Sequence, residues 1–224
     1  MVRLFIKVAS RIQRSEQRHQ GAVSLKSNPT LTFYNQNAQH FTDSTLQVDM
    51  SALYREFLPN IPTKGHILDA GCGSARDAAY FKQQGFTVSA FDASEALAAL
   101  ASQYLQQTVE VSTFQQLDRV NQYDGIWCCA SLLHVPKEEL PAVFINLQNA
   151  LKPNGVLYVS FKYGTSERFD NGREFTDLDE DGLNDLIHAC PKLSLIKHWQ
   201  SPDQRPGREH EIWLNALLTH SRAK

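Results

Sequence analysis

Residues 67–77 read Ile-Leu-Asp-Ala-Gly-Cys-Gly-Ser-Ala-Arg-Asp, and no other stretch narrows the fold as far. His66 to Ala70 has the apolar character of a buried strand, Gly71-Cys72-Gly73 is a turn that only small residues permit, and Ala75 to Gln84 reads as a helix. A glycine turn between strand and helix brings backbone N–H groups to a ligand at the positive end of the helix dipole. The stretch therefore predicts a nucleotide pocket. A dinucleotide fingerprint asks for Gly-x-Gly-x-x-Gly, and counting from Gly71 puts Arg76 in the third glycine's place, which argues against a pyrophosphate. Asp69 stands two residues before the first glycine, within reach of the amino group of an amino-acid moiety and of the turn itself. Asp92 ends the next apolar run, Phe86 to Phe91, as a ribose-binding acid does on a second strand.

These residues resemble the first motif of the class I S-adenosylmethionine-dependent methyltransferases, hydrophobic-hydrophobic-Asp-x-Gly-x-Gly-x-Gly, with Asp69, Gly71 and Gly73 in place and Ala75 at the last glycine. Phe33-Tyr34 through Ala38 to Phe41 is similar to the Tyr-Tyr-x-x-x-Ala-x-x-Phe segment that folds over the cofactor in many small members. Tyr123-Asp124-Gly125-Ile126 resembles the motif of the fourth strand. Leu151-Lys-Pro153-Asn154-Gly155 resembles the Leu-Lys-Pro-Gly-Gly signature before the fifth, with Asn154, which tolerates positive φ, replacing one glycine. Arg76-Asp77 resembles the Gly-Arg-Asp of the tellurite-resistance-like members, with Arg76 directed at a carboxylate, or alternatively paired with a surface acid.

The resemblance implies an α/β, three-layer open sheet of seven strands, Rossmann-like, in the order 3-2-1-4-5-7-6 with strand seven antiparallel. It implies S-adenosyl-L-methionine as cofactor and S-adenosyl-L-homocysteine as product. Around that cofactor it places Tyr34, Asp69, Gly71, Cys72, Gly73, Arg76, Asp92, Ala93, Ser94, Phe114 and Ser131. The family's acid near the third strand end has no counterpart here; Ser112, Thr113 and Phe114 stand nearby instead.

The 224 residues suit one domain. Lysine and arginine number 22 against 24 acids, so no global field points to nucleic acid. Six of those cations (Arg3, Lys7, Arg11, Arg14, Arg18, Lys26) lie in residues 1–28 with only Glu16, which leaves 16 against 23, or −7, for the remainder. The expectation is a flexible basic leader over 1–28 and a methyltransferase domain over 29–224; as a nucleic-acid arm, the leader is the alternative to a small-molecule acceptor, and a non-catalytic cofactor-binding module is another. No apolar run approaches the roughly 20 residues of a membrane span. Cys72, Cys128, Cys129 and Cys190 have neither zinc spacing nor easy disulfide geometry, so reduced thiols, no metal and a cytoplasmic location are expected. Asp177-x-Asp179-x-Asp181-Gly182 opens like a calcium loop, but His188 stands where the bidentate Glu is needed. Monomer and dimer both remain open.

Helices are expected from Asp43 or Ser44 through Leu58, over Glu95 to Gln106, Lys137 to Leu151 and Thr176 to Cys190. A strand-like stretch is expected over Thr108 to Phe114, and a terminal hairpin from Leu193 to Trp199 and Ile212 to Leu218. Ligands of open α/β sheets bind beyond the carboxyl ends of the strands. That rule gathers Ser131 to Pro136, Lys162 to Phe175 and Gln200 to Glu209 into a basic rim. Lys162, His134, Arg173, Arg205 and Arg208 are its candidate acceptor-binding residues, with ion pairing to Glu174, Asp203 and Glu209 as the competing account for the arginines. Methyl transfer calls for an acid/base group only if the acceptor loses a proton; His134, with its near-neutral pKa, and Tyr163 are the candidates.

Overall fold

The computed structural model describes residues 28–221, so the expected leader lies outside the described residues except for Asn28. Asn28 caps helix α1 (Pro29–Thr45) by accepting the Leu31 N–H at 3.1 Å, and Pro29 occupies the first turn, where no donor is needed. At Asn37 the backbone leaves helical values (φ −113°, ψ 15°) while its amide donates to the Phe33 carbonyl at 2.8 Å. The helix expected from Asp43 or Ser44 is corrected. Both residues belong to the last turn of α1, and a separate helix α2 (Ser51–Phe57) follows. Asp49 starts it by accepting the Ser51 N–H at 2.8 Å.

The seven strands of the main sheet are β1 (His66–Ala70), β2 (Thr87–Asp92), β3 (Glu110–Val111), β4 (Tyr123–Cys128), β5 (Leu151–Lys162), β8 (Leu193–Pro202) and β9 (Ile212–His220). Their order is β3-β2-β1-β4-β5-β9-β8, with β9 antiparallel to β5. This is the expected order, because β8 and β9 are the sixth and seventh strands of this sheet. Alternate residues feed opposite faces. Leu68, Ile126, Leu157 and Val159 join one apolar cluster, and Ile67, Trp127, Val156 and Tyr158 join the other. Helices α5 (Leu140–Ala150) and α6 (Glu180–His188) cover the first face. Helices α2, α3 (Arg76–Gln83) and α4 (Glu95–Leu105) cover the second. A parallel centre buried on both faces explains why these strands read as near-continuous apolar runs.

Three departures from expectation have local causes. The stretch at Thr108 to Phe114 pairs only over β3, because Thr113 and Gln116 close a reciprocal cap on a short 3₁₀ turn at Phe114–Gln116. Helix α6 begins only at Glu180, since Asp179 accepts the Gly182 N–H at 2.9 Å as its cap, and Asp177 binds Arg168 instead of joining an acidic cluster. The rim segment after β5 holds an unforeseen hairpin, β6 (Glu167–Asp170) and β7 (Arg173–Thr176). Its turn, Asn171-Gly172, has positive φ at both residues (47° and 78°), the geometry that an Asn-Gly pair favours.

Gly125 in β4 faces α2: a Cβ built there would stand 2.7 Å from both Ile61 Cδ1 and Phe57 Cζ. Gly125→Ala should overpack this seam and lower the unfolding free energy by about 1–3 kcal/mol, measured as a lower urea midpoint at unchanged m-value.

Candidate active site

The turn after β1 takes left-handed conformations at Gly71 (φ 72°), Gly73 (φ 53°) and Ala75 (φ 60°). Three of its N–H groups are spent on the end of the neighbouring strand. Gly71 and Cys72 both donate to the Phe91 carbonyl at 2.9 and 3.0 Å, and Gly73 donates to Asp92 Oδ2 at 2.8 Å. The turn thus ties β1 to the end of β2, and its glycines serve close approach. A Cβ at Gly71 would lie 2.6 Å from the Ser131 Cβ, and one at Gly73 2.9 Å from the Phe41 ring.

Asp69 is buried and accepts the Ala78 N–H at 3.0 Å, holding the first turn of α3; burial first, then the Asp77 charge, push its carboxyl well above the usual range. Asp92 is buried and accepts from Gly73 and Ser94, at 2.8 Å each, and burial raises its pKa. Ala93 adds a third backbone hydrogen bond to this carboxylate, which keeps acceptor capacity for a ribose hydroxyl. Ser94 caps α4 and donates to Asn35 Oδ1 at 2.7 Å, so α1 docks on the start of α4 directly over Asp92's neighbourhood.

A cavity of about 510 Å³ opens at the carboxyl ends of β1, β4 and β5. It brings together Tyr34, Asp69, Gly71, Cys72, Gly73 and Arg76 of the expected cofactor set with His134, Lys162, Tyr163, Arg173, Arg205 and Arg208 of the acceptor set. Asp92, Ala93, Ser94, Phe114 and Ser131 do not line it. Phe114 packs on Phe91 at 5.3 Å between centroids, and the Ser131 hydroxyl donates to the Ala70 carbonyl at 2.8 Å.

Arg76 meets no surface acid, contrary to the alternative. It binds its neighbour Asp77 at 2.6 Å in the interior, and the carboxylate also accepts from the Tyr54 hydroxyl (2.5 Å) and Trp127 Nε1 (2.8 Å). Sequence reasoning missed Tyr54, Asp77 and Trp127. An acid in a first helical turn reads as a dipole partner, and only the three-dimensional fold turns it inward.

The rim is not a cationic patch. Arg168 pairs with Asp177 (2.8 Å), Arg205 with Asp203 (2.5 Å) and Arg208 with Glu211 (2.5 Å), while Lys162 also bonds to Glu211. Glu209, offered as a partner, instead accepts the Gly207 N–H at 3.0 Å. Lys162 lies 5.0 Å over the Trp213 ring, and burial lowers its pKa to about 8. Tyr163 is exposed and donates to Glu180 at 2.9 Å, which leaves its hydroxyl outside the Tyr34–His134 cluster.

His134 holds the centre. Its Nδ1 stands 2.7 Å from the Glu174 carbonyl and its Nε2 2.8 Å from the Tyr34 hydroxyl. A carbonyl only accepts, so Nδ1 carries the proton and Nε2 keeps its lone pair, accepting from Tyr34. Burial lowers the His134 pKa to about 4, helped by the charges of Arg173 and Arg168 and opposed by the Glu174 bond. Burial likewise raises that of Tyr34, offset in part by Arg173.

A family model described as a methyltransferase domain matches residues 39–209. The chain belongs to that family, and its sheet order is that of the class I S-adenosylmethionine-dependent methyltransferase fold. It is 30% identical over 131 residues to the Bacillus subtilis protein YqeM (54% of this chain, 53% of the relative). It is 34% identical over 110 residues to the ubiquinone biosynthesis O-methyltransferase of Rickettsia conorii (47% of this chain, 37% of the relative). The matches thus span about half, or less, of these curated relatives. Among solved structures, Burkholderia thailandensis 1,6-didemethyltoxoflavin-N1-methyltransferase, with bound 1,6-didemethyltoxoflavin and S-adenosylhomocysteine, superposes with a TM-score of 0.68 at 23% identity, over 86% of this chain and 85% of that one. This likeness is one of fold. Among the described residues no helix is long and apolar enough to cross a membrane.

Because His134 resists protonation in the folded protein, the native state binds fewer protons than the unfolded chain between about pH 4 and the ordinary histidine value of 6.5. Its cost is absent at neutral pH and appears as pH falls through that window. His134→Gln, uncharged throughout, should show a smaller drop in Tm than wild type between about pH 7 and pH 4.5.

Proposed function

We propose that this methyltransferase passes the methyl group of S-adenosylmethionine to the hydroxyl of a small polar acceptor, with His134 taking the proton. The observation that carries this reading is the His134 tautomer, whose unprotonated Nε2 accepts from a hydroxyl, that of Tyr34, at 2.8 Å inside the cavity. The bound cofactor supplies a methyl group on a positively charged sulfur.

This chain's residues do the rest. Asp92 is read as the ribose acid through its remaining acceptor capacity, with Gly71 and Gly73 letting the turn pack against Ser131 and Phe41. An acceptor hydroxyl takes the place of the Tyr34 hydroxyl at Nε2. The proton of that hydroxyl would pass to His134 Nε2, leaving the oxygen able to take the methyl group that the bound cofactor would supply. Phe41 and the rest of α1 keep water from the reacting atoms, and the cavity fixes the line of attack. A cavity of about 510 Å³ that must hold both partners suits an acceptor of metabolite size, not a nucleic-acid strand. Methylation at oxygen is also what the name of the Rickettsia relative states.

Titration calorimetry of S-adenosylhomocysteine into wild type and Asp92→Ala is the direct test. Wild type should bind and the variant should bind at least about tenfold more weakly, as expected for losing hydrogen bonds to a charged group; no binding to wild type, or equal binding to both, would overturn the reading. His134→Ala should leave that affinity unchanged and lower methyl transfer to hydroxylated acceptors by about 10²–10⁴-fold, followed with a radiolabelled methyl group.

A further inference from the structure

Six lysine or arginine side chains line the cavity, and five of them are committed to acids. The sixth is Arg173. Among the described residues no carboxylate lies within ion-pair reach of it, and its buried Nε has no hydrogen-bond partner. Glu174, the partner considered from the sequence, contributes only its backbone nearby. Arg173 Cζ instead sits over aromatic rings, 4.5 Å from the centroid of Phe33, 5.1 Å from Phe175 and 6.0 Å from Tyr34. Ring faces stabilise a guanidinium but accept none of its in-plane N–H groups, and a buried unpaired donor carries a penalty that only an acceptor atom removes. Carboxylates and phosphates match that fork.

Arg173 also shares a wall with the base. The Phe175 ring that it touches lies 4.9 Å from the His134 ring, and Tyr34 lies between the guanidinium and His134 Nε2. One molecule about the size of a single ring can therefore span both groups. We infer that the acceptor is a hydroxy acid, its carboxylate or phosphate seated on Arg173 and its hydroxyl on His134 Nε2, in the place the Tyr34 side chain fills in this structure. This rests on the methyl-transfer reading given above and specifies the chemistry that reading leaves open. It also accounts for how a weakly basic histidine would serve. The Arg173 charge is among the influences that depress His134, so an anion seated there offsets it and strengthens the base in the presence of its own substrate.

The test uses the full chain saturated with S-adenosylhomocysteine and three probes: 3-hydroxybenzoate, its methyl ester, and 3-hydroxyphenyl phosphate. At least one of the two acids should bind about tenfold or more tightly than the ester, and the tighter of the pair identifies which anion the site takes. Arg173→Gln should erase that preference while S-adenosylhomocysteine affinity stays within about twofold, and Arg173→Lys, which keeps the charge without the fork, should retain part of it. Equal binding of ester and acids, no binding of either acid at millimolar concentration, or a preference that survives in Arg173→Gln would overturn the inference. Failure of S-adenosylhomocysteine itself to bind would instead overturn the reading beneath it, so the two failures are separable.

Discussion

The carboxylate of Asp77 is the point on which the cofactor side of the molecule turns. It is buried, yet it stays ionised, its pKa held down by Arg76 and by the Tyr54 and Trp127 donors against the cost of burial. Those partners come from three elements: Tyr54 from α2, Arg76 from α3 and Trp127 from β4. A charge removed from water must find its full set of donors or disrupt the interior, so this one residue fixes how two helices sit on the central strand. Because α3 begins at Arg76, the same bonds set the direction in which the glycine turn leaves β1. Asp69, close by and pushed toward its neutral form, bears the electrostatic consequence.

A second constraint acts at the other end of the turn. Three consecutive N–H groups are spent on the end of β2, two on the Phe91 carbonyl and one on Asp92. Glycine is needed here because left-handed backbone must bring the chain against Ser131 and Phe41. Ala75 adopts the same conformation with a side chain, and its methyl is accommodated without any exposure. The alanine found where the family motif has a glycine is thus compatible with the turn, at the strain that a left-handed non-glycine residue carries.

Much of the architecture was legible in the chain because it rests on local rules. Apolar runs mark the central strands, the helix expected over Glu95 to Gln106 is α4, and Asn154 adopts the positive φ (66°) expected of it. The rest depends on how side chains of the rim segments meet once the strands are in place. The hairpin β6–β7 was signalled by Asn171-Gly172 but hidden in a segment read as loop. Ion pairing of the rim arginines is legible as an alternative, and Asp203 is a partner as considered, but Asp177 and Glu211 stand where Glu174 and Glu209 were the other candidates. His134 was legible as a candidate. Its tautomer was not, since it is set by a carbonyl forty residues away in β7.

That hairpin holds a particular position in the chain. Arg168, Arg173 and Phe175, along with the carbonyl that orients His134, all belong to two four-residue strands that pair with each other and stand apart from the main sheet. The glycine turn, Asp69 and Asp92 belong to strands and loops at the opposite half of that sheet. Under the proposed assignments, acceptor recognition would fall on a hairpin separate in the chain from the residues proposed to hold the cofactor, so side-chain changes confined to residues 167–176 would alter acceptor preference without touching the glycine turn, Asp69 or Asp92.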